Sequence, residues 1–311
     1  MSPTAPMTKR AWLLFAAMCL LWGVPYLLIR VAVRELSPTA LVFARTAIAA
    51  LLLLPIGAAR GVLGPAVRRW RMVLVFAAVE IAIPWLLLSS AEQHITSSLT
   101  GLLIAGVPLV AAAITRMTGD RARLRPLNLA GLLVGVVGVA ALVGLDVRDT
   151  HVGSLLEMAV VVVCYAIGPI VLSRYLRDAP PLAVIAVSLA VVAVVYAPLA
   201  ALDLPTRFPS SDAILSVLGL SVVCTALAFL VFFALIAEAG PVRATVITYV
   251  NPAVAAALGL AVLDERFTVG MTVGFVLVLL GSVLATRSGE PGPKREPAQV
   301  TAEVAVRGQT G

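Results

Sequence analysis

Charged residues are scarce in this sequence. Asp, Glu, Lys and Arg make up 13% of the 311 residues, whereas a soluble domain carries about 25%. Hydrophobic residues make up 61%, and the mean hydropathy is +1.05. The 23 basic and 16 acidic residues are too few to cover the water-exposed surface of soluble domains of this length. The composition therefore excludes a large soluble domain and predicts a chain that is solvated by lipid.

Cysteine and enzyme signatures are also sparse. Cys19, Cys164 and Cys224 stand alone inside apolar runs, without the paired spacing of a disulfide framework or a metal site. The sequence has no HExxH, P-loop, GxSxG or DDxxD-type motif, and His94 and His151 fall in predicted loops. We therefore predict no catalytic residue, no metal and no cofactor. The net charge of +7 comes from basic residues between apolar runs, so we predict no nucleic-acid partner either.

Long apolar runs are abundant instead. A transmembrane helix takes roughly 20 apolar residues, and ten such runs follow one another along the chain. The first is too long for the apolar part of a signal peptide, and basic residues follow it, so it is kept as a span. The ten predicted spans are 11–29, 39–59, 72–90, 97–117, 127–145, 152–173, 182–202, 213–237, 242–263 and 269–286. The sequence thus predicts an all-α polytopic membrane protein.

The basic residues predict the orientation of the spans. Ten spans place both termini on one side, and Lys and Arg accumulate beside the loops of that side. Those on this side are Lys9, Arg10, Arg60, Arg68, Arg69, Arg71, Arg116, Arg121, Arg123, Arg125, Arg174, Arg177 and Arg243, against Arg34, Arg148, Arg207 and Arg266 on the other. Because positive loops stay in the cytoplasm, we predict cytoplasmic termini in a plasma or inner membrane. Residues 1–10 are the predicted cytoplasmic N-terminus, and 287–311 a disordered cytoplasmic tail.

Matched prolines indicate an internal repeat. Proline inside a span is disfavoured, yet Pro25 and Pro169 are 144 residues apart, and Pro108 and Pro252 have the same separation. The sequence from Trp85 onward also aligns without a gap at this offset. Residues 11–147 and 148–286 are therefore predicted to be two five-helix repeats.

An odd number of spans per repeat determines how the repeats are related. After five spans the chain is on the opposite side of the membrane, so the second repeat enters the bilayer upside down. The predicted architecture is ten transmembrane helices as two inverted five-helix repeats. Inverted repeats are typical of secondary transporters, whose substrate site lies between the halves near the midplane.

These features together resemble the EamA-type ten-helix members of the drug/metabolite transporter superfamily. Span 1 carries Trp22 and Gly23, and span 2 begins after the loop residue Pro38 and contains Arg45. Each repeat then has a span with a central proline, a short acidic-basic loop and a glycine-spaced last span. The acidic-basic loops are Asp120-Arg121 and Glu265-Arg266. The resemblance covers residues 10 to 286 and implies a membrane transporter of small molecules.

Glu80 is the predicted proton-coupling residue. It lies about eight residues into span 3, or roughly 12 Å deep at 1.5 Å per residue, near the bilayer centre. Desolvation there disfavours the charged carboxylate, so Glu80 is suited to bind and release a proton during a transport cycle. The alternative is a structural Glu that ties span 3 to a neighbouring helix.

Arg45 and several aromatic and proline residues are the predicted substrate-cavity residues. Arg45 lies about 9 Å deep in span 2, where it either meets a substrate carboxylate, forms a fixed ion pair or fills a helix gap. The prolines free backbone carbonyls at membrane depth, and nearby aromatics supply apolar walls with polar tips. The full set is Trp22, Pro25, Tyr26, Arg45, Trp85, Pro108, Tyr165, Pro169, Tyr249, Asn251 and Pro252.

Glycines in spans 5 and 10 are predicted to allow close helix contacts. Gly131 and Gly135 have GxxxG spacing in span 5, as do Gly270 and Gly274 at span 10. They pack either within the monomer or at the face of a homodimer.

The leading hypothesis is a secondary transporter that exports a small metabolite, amino-acid-like or amphiphilic, by alternating access. Because no ATP-binding motif is present, a proton gradient or exchange would supply the energy. The alternative is a polytopic membrane enzyme that acts on a lipid-linked substrate, which would need acids or histidines clustered at one interface. A channel or sensor would need a continuous polar stripe along several spans.

Overall fold

The computed structural model describes residues 7–117, 126–144, 151–203, 205, 207–244, 246–266 and 268–286. All regular elements in these ranges are helices, so the all-α prediction is confirmed. Eight helices are long and apolar enough to cross a membrane, and two shorter apolar helices complete the predicted ten. The predicted tail 287–311 and the acidic-basic loop at Asp120 lie outside the described residues.

Each predicted span is present as a helix or as consecutive helical segments. In chain order they are span 1, Lys9–Gly23 and Pro25–Ala32; span 2, Pro38–Ala59; span 3, Trp70–Ala77, Ala78–Ala82 and Ile83–Ala91; span 4, Ser97–Ile104 and Val107–Met117; span 5, Pro126–Gly144; span 6, Val152–Tyr175; span 7, Pro181–Leu202; span 8, Ser211–Leu218, Gly219–Leu227 and Ala228–Ala239; span 9, Pro241–Ala244 and Ile247–Leu263; and span 10, Val269–Thr286. A short helix that the sequence did not predict, Leu63–Arg68, lies in the connection between spans 2 and 3.

Side-chain caps explain where several helices begin. Thr8, Ser37, Thr96 and Ser210 each accept a hydrogen bond from the backbone N–H three residues on. A hydroxyl at this position satisfies one of the backbone donors that the first helical turn leaves free. The loop residues before spans 1, 2, 4 and 8 therefore set their helix starts.

The prolines act in two ways. Pro25 lies at the junction between the two segments of span 1, where its missing N–H interrupts the helical hydrogen bonds. Pro169 and Pro252 instead lie inside continuous helices. Pro252 is buried, whereas Pro169 is exposed at the surface of the bundle.

Two π-helical segments occupy equivalent places in the two repeats. Ala78–Ala82 forms the middle of span 3, and Gly219–Leu227 the middle of span 8. Glu80 and Cys224, which are 144 residues apart, lie within them. A π-helix is rare and is frequently found at functional sites, so this shared feature directs attention to the centre of the bundle.

Spans 5 and 10 pack against each other in antiparallel orientation. A methyl group built on Gly138 would meet the backbone at Val278, and one on Gly131 would meet the backbone at Ala285. Rising numbers in one helix thus match falling numbers in the other. Because these spans are equivalent in the two repeats, the repeats are inverted.

The contact between spans 5 and 10 shows where the glycines pack. Gly281 lies against the backbone of Gly131 and Gly135, and Gly274 lies against Gly138. These glycines are therefore used within one chain. A homodimer through spans 5 and 10 stays a prediction.

Contacts between loops define two ends of the bundle. The terminal face carries the N-terminal Thr8, which donates to Glu238 (2.7 Å), and the ion pair of Arg69 with Asp178 (3.2 Å). The opposite end, the far face, carries the described residues of the connections at 33–37, 92–96, 207–210 and 264–266. Large apolar side chains such as Leu13, Leu133 and Val194 are exposed around the bundle between the two ends, as a lipid-facing surface requires.

Candidate functional site

Arg45 of span 2 is a buried cation at the contact between the two repeats. It is 8% exposed, and its Nε donates to the Thr225 hydroxyl of span 8 over 2.9 Å. Its guanidinium carbon lies 3.6 Å from the ring centroid of Trp85 in span 3. Residues from both repeats therefore hold the guanidinium in place.

The π-helix of span 8 orients Thr225. Its hydroxyl donates to the carbonyl of Leu220, five residues earlier, over 2.7 Å. With its proton directed at Leu220, the hydroxyl oxygen is free to accept from Arg45. An i to i−5 contact fits the wider turn of the π-helix.

The charge of Arg45 has no carboxylate partner among the described residues. No acidic side chain there lies within ion-pair distance of it, and its two terminal nitrogens make no hydrogen bond to those residues. A desolvated cation–π contact contributes about 2 kcal/mol, whereas burying an ion costs several kcal/mol. The Trp85 contact therefore offsets part of the burial cost and leaves the guanidinium able to bind an anion.

Two tyrosines complete this cluster. Tyr26 of span 1 and Tyr165 of span 6 lie within electrostatic range of the Arg45 guanidinium. Tyr26 is buried and Tyr165 half-buried. We call Arg45, Trp85, Thr225, Tyr26 and Tyr165 the central cluster. It contains one cation, the hydroxyl of one threonine and three aromatic rings, each with a polar N–H or O–H group. Such a mixture suits a ligand with an anionic group and an apolar part.

Glu80 lies beside the central cluster, on the π-helix of span 3. Its carboxylate rests directly on Gly168 of span 6, where a methyl group would overlap it. Its Oε2 atom is buried and makes no hydrogen bond, and Cys164 and Tyr165 lie within its electrostatic range. Glu80 thus lies in the middle segment of span 3 and contacts the second repeat, while its depth in the membrane stays a prediction.

Other predicted cavity residues lie apart from the central cluster. Trp22 packs on Phe232, with ring centroids 4.7 Å apart. Asn251, with its amide nitrogen facing two carbonyls, donates to Cys19 over 3.2 Å. Tyr249 lies near the start of span 9, its hydroxyl 3.4 Å from that of Thr286. These three residues join helices, and their role in a cavity stays a prediction.

The structure also adds residues that the sequence analysis missed. Thr225 lies in an apolar run, and apart from its hydroxyl group no feature of the sequence distinguishes it from its neighbours. Glu92 follows the last residue of span 3 and looks like a loop residue, yet it is fully buried. Both its carboxylate oxygens lack hydrogen-bond partners among the residues that the structure describes. Within the described ranges, no group of three or more His, Cys, Asp or Glu side chains could hold a metal ion.

Comparisons with known proteins agree with this architecture. The model of the EamA-like transporter family matches residues 9–144 and 153–287. The chain is 27% identical over 278 residues to the uncharacterized inner membrane transporter YedA of Escherichia coli K12, covering 86% of this chain and 90% of that protein. It is 23% identical over 290 residues to an uncharacterized transporter of Archaeoglobus fulgidus, covering 90% of this chain and 98% of that protein. A solved crystal structure shares its fold, with TM-score 0.64 and 22% identity over 89% of this chain and 96% of that one.

Proposed function

Because the chain belongs to the EamA-like transporter family, we propose that it is a secondary transporter that exports a small metabolite by alternating access. The substrate would be amino-acid-like or amphiphilic, and a proton gradient or exchange would drive its movement. The termini would lie in the cytoplasm. Membership of a transporter family does not favour the alternative of a lipid-modifying enzyme.

The observation that carries the proposal is the unpaired Arg45 between the repeats. A site used in alternating access has to be reachable from each side in turn, so it belongs between the halves. Arg45 and Trp85 come from the first repeat, and Thr225 and Tyr165 from the second. A substrate carboxylate would pair with the free guanidinium nitrogens, and the aromatic rings would surround its apolar part.

The contacts of the far face support alternating access. Thr39 donates to Asp203 across the repeats over 3.0 Å. Glu265 accepts hydrogen bonds from the backbone and hydroxyl groups of both Ser97 and Ser98. These hydrogen bonds join the two halves at one end of the bundle. Their breakage would let that end open without unfolding any span.

The test is counterflow in liposomes of the purified protein, screened with amino acids, nucleosides and cationic dyes. We expect the protein to exchange solutes that carry a carboxylate and an apolar group. Arg45→Gln should reduce this exchange by about 100-fold, because a lost charge-assisted pair contributes roughly 2–3 kcal/mol.

The matched control is Arg34→Gln, which removes the same charge from an exposed position just beyond span 1. It should transport like the unmodified chain. Full exchange by folded Arg45→Gln protein would overturn the assignment of the site. If the unmodified chain exchanged none of the three solute classes, the proposed substrate range would be overturned.

A further inference from the structure

Glu92 is a buried acid that the central cluster does not use. It lies one residue beyond span 3, at the far face, and its side chain is 0% exposed. Neither carboxylate oxygen has a hydrogen-bond partner in the part of the chain that the structure describes. Buried carboxylates in folded proteins are normally paired with a cation or with several donors. The environment of Glu92 therefore matches a neutral, protonated carboxyl group.

The neighbouring groups explain why no partner is available. Arg30 of span 1 donates to the backbone carbonyl of Glu92 and not to its carboxylate. The Ser97 and Ser98 donors of span 4 are directed at Glu265. Arg45 of span 2 is within electrostatic range but forms no ion pair with Glu92 among the described residues.

Burial and the negative charge of Glu265 act on the Glu92 carboxyl in the same direction. Burial raises the pKa of the Glu92 carboxyl well above its usual range, and the nearby Glu265 carboxylate raises it further. Arg30 and Arg45 oppose these effects. Tyr26 of span 1 is the other titratable group in range. Water reaching Glu92 would remove the burial contribution and favour its ionised form.

The far-face contacts separate Glu92 from water. Ser97, five residues along the chain, is itself fully buried and is held by Glu265 from the other repeat. Opening the far face has to break this contact and would hydrate the adjacent connection that contains Glu92. The proton affinity of Glu92 would then differ between the closed and open states, which is the requirement for coupling a proton to a conformational change.

We propose that Glu92 is a second proton-binding site, which holds its proton while the far face is closed and releases it to the far side when that face opens. The step is an acid dissociation: the carboxyl O–H bond breaks, the electron pair stays on the carboxylate and the proton passes to water. This proposal rests on the proposed alternating-access function. It separates a peripheral proton site at Glu92 from the mid-membrane site at Glu80.

The Glu35 carboxyl of the far face acts with the opposite sign. The hydroxyl and backbone N–H of Ser210 donate to Glu35 and lower the pKa of that carboxyl. These contacts are present at higher pH and are lost as the pH falls through the lowered pKa. An opening that begins as the pH rises therefore does not come from the loss of the Glu35 contacts, whereas the deprotonation of Glu92 predicts it.

The test is the labelling of a cysteine buried near Glu92. Ser89→Cys changes one atom at a position that is 2% exposed, three residues before Glu92 on span 3. The purified protein is treated with a small thiol reagent between pH 5.5 and 9, and the labelled peptide is quantified by mass spectrometry. Each rate is divided by that of the same chain denatured at the same pH, which removes the effect of thiol ionisation.

We expect the normalised rate to rise with pH, by up to about tenfold per pH unit if opening releases one proton. Adding Glu92→Gln should leave the rate low and independent of pH, because the amide cannot ionise. Adding Asp212→Asn, which neutralises an exposed acid in the first turn of span 8, is the control and should keep the rise. An equal rise in the Glu92→Gln chain would overturn the proposal, and so would a flat rate in the parent Ser89→Cys chain.

Labelling needs no substrate, so its result is independent of the counterflow test. A Glu92-dependent rise in a protein that exchanges none of the screened solutes would keep the proton site and overturn the proposed substrate range. If the protein showed counterflow and Glu92→Gln did not alter its pH response, the transport proposal would stand and the proton site at Glu92 would be overturned.

Discussion

At the residue scale, Arg45 and Glu80 differ in how the protein surrounds their charge. Arg45 cannot lose its proton in a protein. Its buried charge can therefore be stabilised only by an anion or by polar and aromatic groups. Glu80 can be neutralised by a proton, and its Oε2 atom meets neither a donor nor a cation. The first arrangement is suited to holding a substrate anion, and the second to holding a proton.

The prediction for Glu80 concerns coupling. Glu80→Gln keeps the size and hydrogen-bonding capacity of the protonated acid but cannot exchange a proton. We expect the variant to fold, to retain solute exchange across liposomes and to lose accumulation driven by a pH gradient. Both rates are measured in the same liposomes. Unchanged proton-driven accumulation would assign Glu80 a structural role and leave the transporter proposal intact.

At the element scale, the two π-helices show how a repeated scaffold carries different chemistry. Both repeats widen the same helix at the same place, yet Glu80 of span 3 corresponds to Cys224 of span 8. Trp85 likewise aligns with Phe229 at the offset of 144. The first repeat thus supplies the charged groups, whereas the second supplies Thr225. The two halves share a backbone without being interchangeable.

The antiparallel packing of spans 5 and 10 gives a stability prediction. A methyl group at Gly281 would overlap the backbone of span 5, so Gly281→Ala should destabilise the fold by about 1–3 kcal/mol, as overpacking does. At Gly153, in the first turn of span 6, no atom lies within 4 Å of an added methyl group. Gly153→Ala is the control and should be neutral or slightly stabilising. Thermal unfolding in detergent distinguishes them, and equal melting temperatures would contradict the packing described above.

At the scale of the whole molecule, an even number of spans places both termini at one end of the bundle. The terminal face and the far face are separated in the structure, and the cytoplasmic location of the terminal face is a prediction from the basic residues. Cysteine labelling in intact cells tests it. Glu290→Cys, in the C-terminal tail, should be protected from an impermeant reagent, whereas Phe208→Cys, between spans 7 and 8, should react. External labelling of residue 290 would contradict the predicted orientation.

The sequence alone determined the class of protein, the ten spans and the repeat. These follow from composition, from the length of apolar runs and from matched prolines, all of which are local or additive properties of the chain. The position of Glu80 in the middle of span 3 also follows from counting residues along an apolar run. Hydroxyl caps such as Thr96 are local as well, which explains why the predicted helix starts agree with the observed ones within a few residues.

Only the tertiary structure decided which side chains meet. Arg45 and Thr225 are 180 positions apart, and no periodicity relates them. The π-helices, the use of the glycines within one chain and the location of Trp22, Tyr249 and Asn251 also depend on contacts between spans. Glu92 is the clearest case, because hydropathy treats a residue beyond an apolar run as exposed. Its burial arises because neighbouring spans and the far-face connections enclose it, and a one-dimensional pattern does not contain that information.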